Sequence, residues 1–250
     1  MPTTDDHRLA RASAERAGDL LIELRRAGQG MQADRLRAAG DRGAHDLLMA
    51  MLGDARPDDG ILSEEGYDDG RRLHRDRVWV VDPLDGTREF GEPGRPDWAV
   101  HVALAEGGTL TAGAVALPAM GVVYATDDPP AVPPKPDDRP LLVVTTRYRV
   151  PMVTVRMAEA IGAQLVSLGS AGAKAMTVVA GQTDAYLHVG GMYEWDSAAP
   201  AAVAAAAGLH VSRADGAPLV YNRADPWLPD LLVCRPELAE ACLDAIDRAW

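Results

Sequence analysis

The chain has 250 residues, 47% of them apolar, and a net charge of −12 from 25 basic and 37 acidic side chains. That length and apolar content suit one large domain or two small ones with a sizeable core. The acidic balance argues against binding a nucleic acid polymer, which needs a basic footprint; a chain this acidic that handles an anionic substrate needs local positive charge, and a bound metal can supply it.

The N-terminus, Met1-Pro2-Thr3-Thr4-Asp5-Asp6, lacks the basic and apolar regions of a signal peptide. No apolar stretch reaches spanning length free of charge, so a cytoplasmic chain without a membrane span is expected. Residues 5–27 read as an amphipathic helix, with Leu9, Ala12, Leu20, Leu21 and Leu24 near helical spacing. Gly28-Gln29-Gly30-Met31-Gln32-Ala33 matches the letters of a dinucleotide fingerprint. That fingerprint requires a strand before it, and here a helix comes before it. Gly40-Asp41-Arg42-Gly43 precedes a second helical pattern over residues 44–52, where Asp41 is placed as an N-cap. Pro57-Asp58-Asp59-Gly60 is a turn, and Ile61-Leu62 is a short strand ending on Ser63-Glu64-Glu65-Gly66. Those paired acids suit ligands and a solvated loop equally.

After a charged loop over residues 68–76 comes the most informative stretch, Val78-Trp79-Val80-Val81-Asp82-Pro83-Leu84-Asp85-Gly86-Thr87-Arg88-Glu89-Phe90. Its apolar run is short, β-branched and closed by Pro and Gly, which predicts a buried strand. Asp82 and Asp85 flank the turn, where two carboxylates can converge. Gly86 lets backbone approach a ligand, and the Leu84 carbonyl and the amides after Gly86 complete a set suited to divalent metal and phosphate together. The spacing fails as a calcium EF-hand, because Leu84, Gly86 and Pro93 fall where ligands belong. It is also unconvincing as an aspartyl-nucleophile phosphatase. A metal site and a plain Asp-Gly turn both remain open on spacing alone, and Thr87 can be read as a helix cap.

Residues 91–96 form a loop beside this stretch, and 98–104, 110–117 and 121–126 predict an antiparallel meander. Residues 127–140 hold six prolines and no apolar periodicity. They divide the chain into an N-terminal α+β half (1–130), a Pro-rich linker (131–140) and a C-terminal α/β half (141–250). In that second half the predicted order is strand 141–146, helix 150–161, strand 164–168, helix 171–180, strand 184–189, helix 196–207, strands 209–212 and 231–234, and helix 237–249. Gly169-Ser170-Ala171-Gly172-Ala173-Lys174 resembles a phosphate loop without the Gly-Lys-Ser/Thr ending. Its amides could bind an anion, or simply open a closely packed helix. Asp196 reads as an N-cap, with Pro200 in the first turn of the helix. None of the six histidines pairs at metal spacing, so each is assigned a structural role. Cys234 and Cys242 form neither a disulfide framework nor a zinc set. Mixed helices and sheets in two halves argue for a layered α/β sandwich, and carboxylates without His or Cys partners suit Mg²⁺ or Mn²⁺ better than zinc.

Three motifs then stand in order: Glu64-Glu65 after a strand, Trp-Val-Val-Asp-Pro-Leu-Asp-Gly-Thr over residues 79–87, and Trp-Asp-Ser-Ala-Ala-Pro over residues 195–200. Together they resemble the inositol-monophosphatase-like family of Mg²⁺-dependent, lithium-sensitive phosphatases over essentially the whole chain. Gly-Thr-Arg-Glu-Phe (86–90), Arg-Pro-Asp-Trp-Ala-Val-His (95–101), Gly-Ser-Ala-Gly-Ala-Lys-Ala-Met (169–176) and Tyr-Glu-Trp-Asp-Ser-Ala-Ala-Pro (193–200) resemble its CysQ-type nucleotidase branch, in particular actinobacterial members.

The resemblance implies an α/β/α/β/α sandwich of the inositol monophosphatase and fructose-1,6-bisphosphatase type. It implies two or three Mg²⁺ ions, with Mn²⁺ as substitute and Li⁺ as inhibitor. Glu64, Asp82 and the Leu84 carbonyl would hold the first metal; Asp82, Asp85 and Asp196 the second. Glu64 would share in a third, with Asp41 and Thr87 orienting the attacking water. Gly86 and Thr87 would receive the phosphate, and Arg88, Ser170, Lys174, His188 and Asp196 are the expected substrate contacts. One departure is Ala38-Ala39-Gly40-Asp41, where the family usually has Thr-x-Ala-Asp. The implied reaction is hydrolysis of the 3′-phosphate of 3′-phosphoadenosine 5′-phosphate, or of its sulfated form, in sulfate assimilation. Inositol monophosphate and fructose 1,6-bisphosphate are the alternative substrates, a non-catalytic nucleotide sensor the alternative role, and a homodimer the assembly many members adopt.

Overall fold

A computed structural model describes residues 3–250; Met1 and Pro2, part of the stretch read for a signal peptide, lie outside the described residues. Helix α1 (Thr4–Ala27) opens with a capping box: the Thr3 hydroxyl accepts from the Asp6 amide at 3.2 Å, and the Asp6 carboxylate accepts from the Thr3 amide at 2.7 Å. Asp5 and Asp6 at its start and Arg25 and Arg26 at its end suit the helix dipole. Helix α2 (Ala33–Ala55) is longer than its spacing suggested. It runs straight through Gly40-Asp41-Arg42-Gly43, so Asp41 lies mid-helix and is no N-cap. Gly40 is there for contact rather than as a breaker: a Cβ would come 2.8 Å from Phe90 and 3.0 Å from Leu84. Packing thus overrides the roughly 1 kcal/mol penalty of glycine in a helix. The Gly28–Ala33 letters fall on the C-cap of α1, the turn after it and the first residue of α2, with no strand before them.

The first sheet contains β1 (Gly60–Ser63), β2 (Arg77–Asp85), β3 (Ala99–Glu106), β4 (Thr109–Leu117) and β5 (Val122–Ala125), in that spatial order. The last three form the expected antiparallel meander, β2 joins it antiparallel to β3, and β1 adds to β2 in parallel. A short helix α3 (Thr87–Gly91) follows β2. Residues 129–140 contain no helix or strand.

The second half comprises β6 (Leu142–Thr146), α4 (Met152–Ala160), β7 (Gln164–Leu168), α5 (Ala171–Val179), β8 (Ala185–Tyr193), α6 (Glu194–Ala206), β9 (His210–Ser212), β10 (Trp227–Cys234) and α7 (Ala239–Asp247). Its sheet order is β7-β6-β8-β10-β9. Strand β8 continues past residue 189 through an irregularity in its register with β10, where Gly190 and Gly191 take φ values of 95° and 92°. Helix α6 begins at Glu194, so Pro200 lies inside the helix rather than in its first turn, and Asp196 is not its N-cap. A proline there has no N–H to give the carbonyl four residues earlier, which is that of Asp196.

Helices α1 and α2 cover one face of the first sheet, α5 and α6 lie between the sheets, and α4 and α7 cover the outer face of the second. This is the expected α/β/α/β/α layering. The alanines of α6 allow the close approach: a Cβ on Gly113 of β4 would come 2.8 Å from that of Ala202. One core cluster mixes both halves, joining Val78, Val80 and Val115 to Val144, Met176 and Val203. Cys234 and Cys242 are both buried thiols. Among the described residues, no helix is long and apolar enough to cross a membrane.

Candidate active site

The site forms where β2 breaks step with β3. Asp82 pairs with His101 and Asp85 with Ala99, leaving a bulge at Pro83-Leu84. Pro83 has no N–H for the ladder, and Asp82 Oδ1 instead accepts from the Leu84 amide at 3.0 Å. This local turn brings both aspartates to the same end of the strand. Gly86 follows with φ 83°, and a Cβ there would lie 3.0 Å from Ser170 Cβ and 3.2 Å from the Asp97 carbonyl oxygen, so only glycine fits comfortably. Gly86 is the N-cap of α3, and Thr87 is its first residue rather than its cap. The Thr87 hydroxyl donates instead to the Leu84 carbonyl at 3.1 Å, and Asp41 Oδ1 lies 3.4 Å from it across the site.

From the far end of the chain, Asp196 arrives on the first turn of α6, where its Oδ2 accepts from the Tyr193 amide at 2.6 Å. Oxygens of Asp82, Asp85 and Asp196 all fall within 4.8 Å of one another. Glu64, on the turn after β1, exposes much of its surface, yet its carboxyl hydrogen-bonds to Asp82, which requires a proton on one of the two.

The electrostatics of this cluster are strained. Burial pushes the Asp82 carboxyl well above the usual range, and the charges of Glu64, Asp85 and Asp196 push it further. Burial and the Asp85 charge push Asp196 to about 7, against the partial relief of the Tyr193 amide. Burial and Glu65 raise Asp41 to about 6, with Thr87 and Arg37 opposing. Glu64 is raised by desolvation and by Glu65, Asp85 and Asp41. Asp85 goes the other way. Burial alone would raise it, but His101, the Ser170 hydroxyl and the Gly172 amide hold it down at about 2.

The contacts of Asp85 explain the Gly169–Lys174 stretch. Ser170 Oγ donates to Asp85, as do the amides of Ala171 at 3.2 Å and Gly172 at 2.7 Å. The opening of α5 is therefore spent on a carboxylate of the protein itself. Gly172 must lack a side chain, since a Cβ would run into the His101 ring. His101, fully buried, places Nε2 3.2 Å from Asp85 Oδ2 and Nδ1 3.1 Å from the Trp195 carbonyl oxygen. Sequence spacing assigned His101 only a structural role. The available signal was a lone histidine in an apolar strand, in register with Asp82.

A cleft of about 520 Å³ opens over the cluster, lined by Asp85, Gly86, Thr87, Arg88, Ser170, Lys174, His188 and Asp196 among others. All the expected substrate contacts therefore share one cavity. Asp41 instead faces a neighbouring cleft with Arg42, His45, Asp46 and Glu65. Lys174 is buried, donates to the Gly169 carbonyl and lies 5.4 Å from the Tyr186 ring centroid; desolvation lowers its pKa. Burial also lowers that of His188, whose Nε2 meets the Gly191 carbonyl at 2.8 Å. Arg88 stacks 5.0 Å from the Tyr148 centroid. Glu89, unassigned from sequence, is buried and accepts from Arg147 and from the Tyr148 hydroxyl, each at 2.9 Å.

The donor set can hold a divalent metal: three carboxylates converge, and burial together with their mutual repulsion keeps two of them titrating abnormally high. All-oxygen donors without cysteine suit Mg²⁺ or Mn²⁺.

Comparison with known proteins agrees with this geometry. The inositol monophosphatase family model matches residues 6–248. A 3′-phosphoadenosine 5′-phosphate phosphatase from Mycobacterium tuberculosis is 52% identical over 246 residues, covering 94% of this chain and 90% of the relative. The 3′(2′),5′-bisphosphate nucleotidase CysQ of Escherichia coli strain K12 is 36% identical, covering 76% of this chain and 81% of its own. An inositol monophosphatase from Staphylococcus aureus superposes with a TM-score of 0.83 at 20% identity, covering 98% of this chain and 97% of its own, which shows the shared fold.

Proposed function

This chain belongs to the inositol monophosphatase family and is a phosphatase, and from that premise we propose that it hydrolyses the 3′-phosphate of 3′-phosphoadenosine 5′-phosphate to AMP, and of the sulfated form likewise, in support of sulfate assimilation. The observation that carries the reading is the convergence of Asp82, Asp85 and Asp196 on one point at the floor of a cleft. The family is metal-dependent, and we assign Mg²⁺ as the metal, with Mn²⁺ as substitute and Li⁺ as inhibitor. Glu64, Asp82 and the Leu84 carbonyl are the proposed holders of one ion, and Asp82, Asp85 and Asp196 of a second. Bound there, the ions supply Lewis acidity and neutralise phosphate charge.

The chain's own groups do the rest. Asp41, raised to about 6, is poised to take a proton near neutral pH. Thr87 Oγ1, between the Leu84 carbonyl and Asp41 Oδ1, positions a water between that base and the phosphorus. The amides of Gly86 and Thr87 face the transferred phosphate, and Ser170 and the α5 amides fix Asp85 so that it cannot turn away. Lys174, desolvated beside Asp85, adds positive charge on the cleft side, and Arg88 offers a guanidinium for the 5′-phosphate. His188 lines the same wall. Positioning and electrostatics of this kind carry most of the rate in phosphoryl transfer. The homodimer is proposed on the resemblance alone.

The test is phosphate release from the bisphosphate with Mg²⁺ present, with AMP identified as product, for the parent chain and for Asp82→Asn and Asp196→Asn. Turnover should vanish in both variants and on chelation while the circular dichroism spectrum is retained. Full turnover in either variant would sink the metal assignment.

A further inference from the structure

Two aromatic rings on the cleft wall have no part in the chemistry above. Tyr193 and Trp227 both line the cleft and are 42% and 41% exposed. They stand opposite each other in the register of β8 and β10, with ring centroids 5.4 Å apart and planes at 82°. Tyr193 in turn stacks on Trp195 at 4.7 Å and 13°.

The protein spends structure on keeping this group rigid. Gly191 takes φ 92°, and a Cβ there would overlap the Trp227 indole, so β8 gives up a side chain to seat it. The Glu194 amide donates to the Pro226 carbonyl at 2.8 Å, which fixes the residue before Trp227. The fully buried Glu194 carboxylate accepts from the amides of Asn222 at 2.7 Å and Arg223 at 2.9 Å, pinning the loop that leads there. The Tyr193 amide is bound to Asp196, so the aromatic wall and the acidic cluster share one turn of backbone.

The facing wall has another aromatic ring, Tyr148, 51% exposed. That ring is already engaged: Arg88 and Arg147 lie 5.0 and 5.3 Å from its centroid, and its hydroxyl is bound to Glu89. The cleft therefore has one wall carrying guanidinium charge and one carrying aromatic surface. A polyol or sugar phosphate has no π-face to use the second wall, whereas every nucleobase does.

We propose that Trp227, braced by Tyr193, is the platform on which the substrate's purine base stacks, and that this wall selects nucleoside bisphosphates over polyol and sugar phosphates. The inference rests on the nucleotidase reading and names the base subsite of that same cleft.

The test compares two substrates, 3′-phosphoadenosine 5′-phosphate and the abasic analogue that keeps both phosphates on a base-free sugar ring. In Trp227→Ala, kcat/KM for the nucleotide should fall by roughly 5- to 150-fold, mainly through KM, as expected for one lost stacking contact. The loss on the abasic analogue should be about twofold or less. Trp227→Phe should recover most of the nucleotide activity. Titration with AMP should quench tryptophan fluorescence in the parent chain and not in Trp227→Ala. Equal losses on the two substrates, or no loss, overturn the platform and leave the nucleotidase reading standing. A parent chain that releases no phosphate from either bisphosphate overturns the nucleotidase reading instead; an AMP quench that depends on Trp227 would then still support the platform, and its absence would end it.

Discussion

Asp196→Asn should make the metal-free protein more stable while weakening its response to metal. Asp196 titrates at about 7 in the fold, against an ordinary 3.8. The sign follows directly. A carboxylate with a raised folded pKa costs nothing below its unfolded pKa and destabilises increasingly as pH climbs from about 4 to about 7. The full shift corresponds to about 4 kcal/mol, but it is shared with Asp82 and Asp85, so about 2 kcal/mol is the working figure. Asparagine keeps an oxygen that can accept the Tyr193 amide, so the helix start survives. It loses about 0.5 kcal/mol of favourable charge at the helix N-terminus. The net gain of about 1.5 kcal/mol is a rise in Tm of roughly 3–6 °C for a chain this size. Mg²⁺ at about a hundred times its Kd should stabilise the parent chain by about 2.7 kcal/mol for each ion held, a rise of roughly 5–11 °C, and the variant, which keeps only the site of Glu64, Asp82 and the Leu84 carbonyl intact, should gain less. The assay is thermal melting at about pH 8, with chelator and with Mg²⁺. The chelated gain should vanish near pH 4, at about the unfolded carboxyl pKa. A variant that melts below the parent in chelator, or gains as much from Mg²⁺ as the parent does, would refute the reasoning.

Asp41→Asn should lower kcat by about a hundredfold or more with KM little changed; the parent's kcat should fall as pH drops through about 6, and the variant should lose that limb in a pH–rate profile. Gly86→Ala should cost about 1–2 kcal/mol because φ is 83° there, lowering Tm by roughly 2–8 °C and reducing turnover, since the added Cβ also presses on Ser170; unchanged melting would contradict it. Burial would raise Asp6, but the Thr3 amide, Arg56, the Thr3 hydroxyl and Arg77 hold it at about 2. Its contribution is therefore complete above about pH 4 and lost as pH falls through about 2. Allowing for screening at the partly exposed arginine heads, Asp6→Ala should cost about 1–2 kcal/mol near neutral pH in urea unfolding, and the gap to the parent should close in acid.

Much of this arrangement was legible in the residues because local chemistry and fold agree there. The strand ending on Asp82-Pro83-Leu84-Asp85-Gly86 announced itself by its apolar run and its breakers, and the meander by its glycine turns. The misread boundaries share a cause: a residue that usually interrupts an element was present for close contact. Gly40 admits Phe90 against α2, and Gly191 admits Trp227 against β8. Asp41 looked like a cap only because the helix appeared to start beside it. His101 and Glu89 carry no local pattern. Their roles arise when β3 brings His101 against Asp85 and the segment after β6 brings Arg147 against Glu89 on α3, contacts that no local spacing signals.

The most direct test of the whole account is kcat/KM for phosphate release with Mg²⁺, measured side by side on 3′-phosphoadenosine 5′-phosphate, inositol 1-phosphate and fructose 1,6-bisphosphate. The nucleotide should lead by about a hundredfold or more, and chelation should abolish all release. An equal or higher value for the inositol or fructose ester would contradict the assignment of the cleft to a nucleotide.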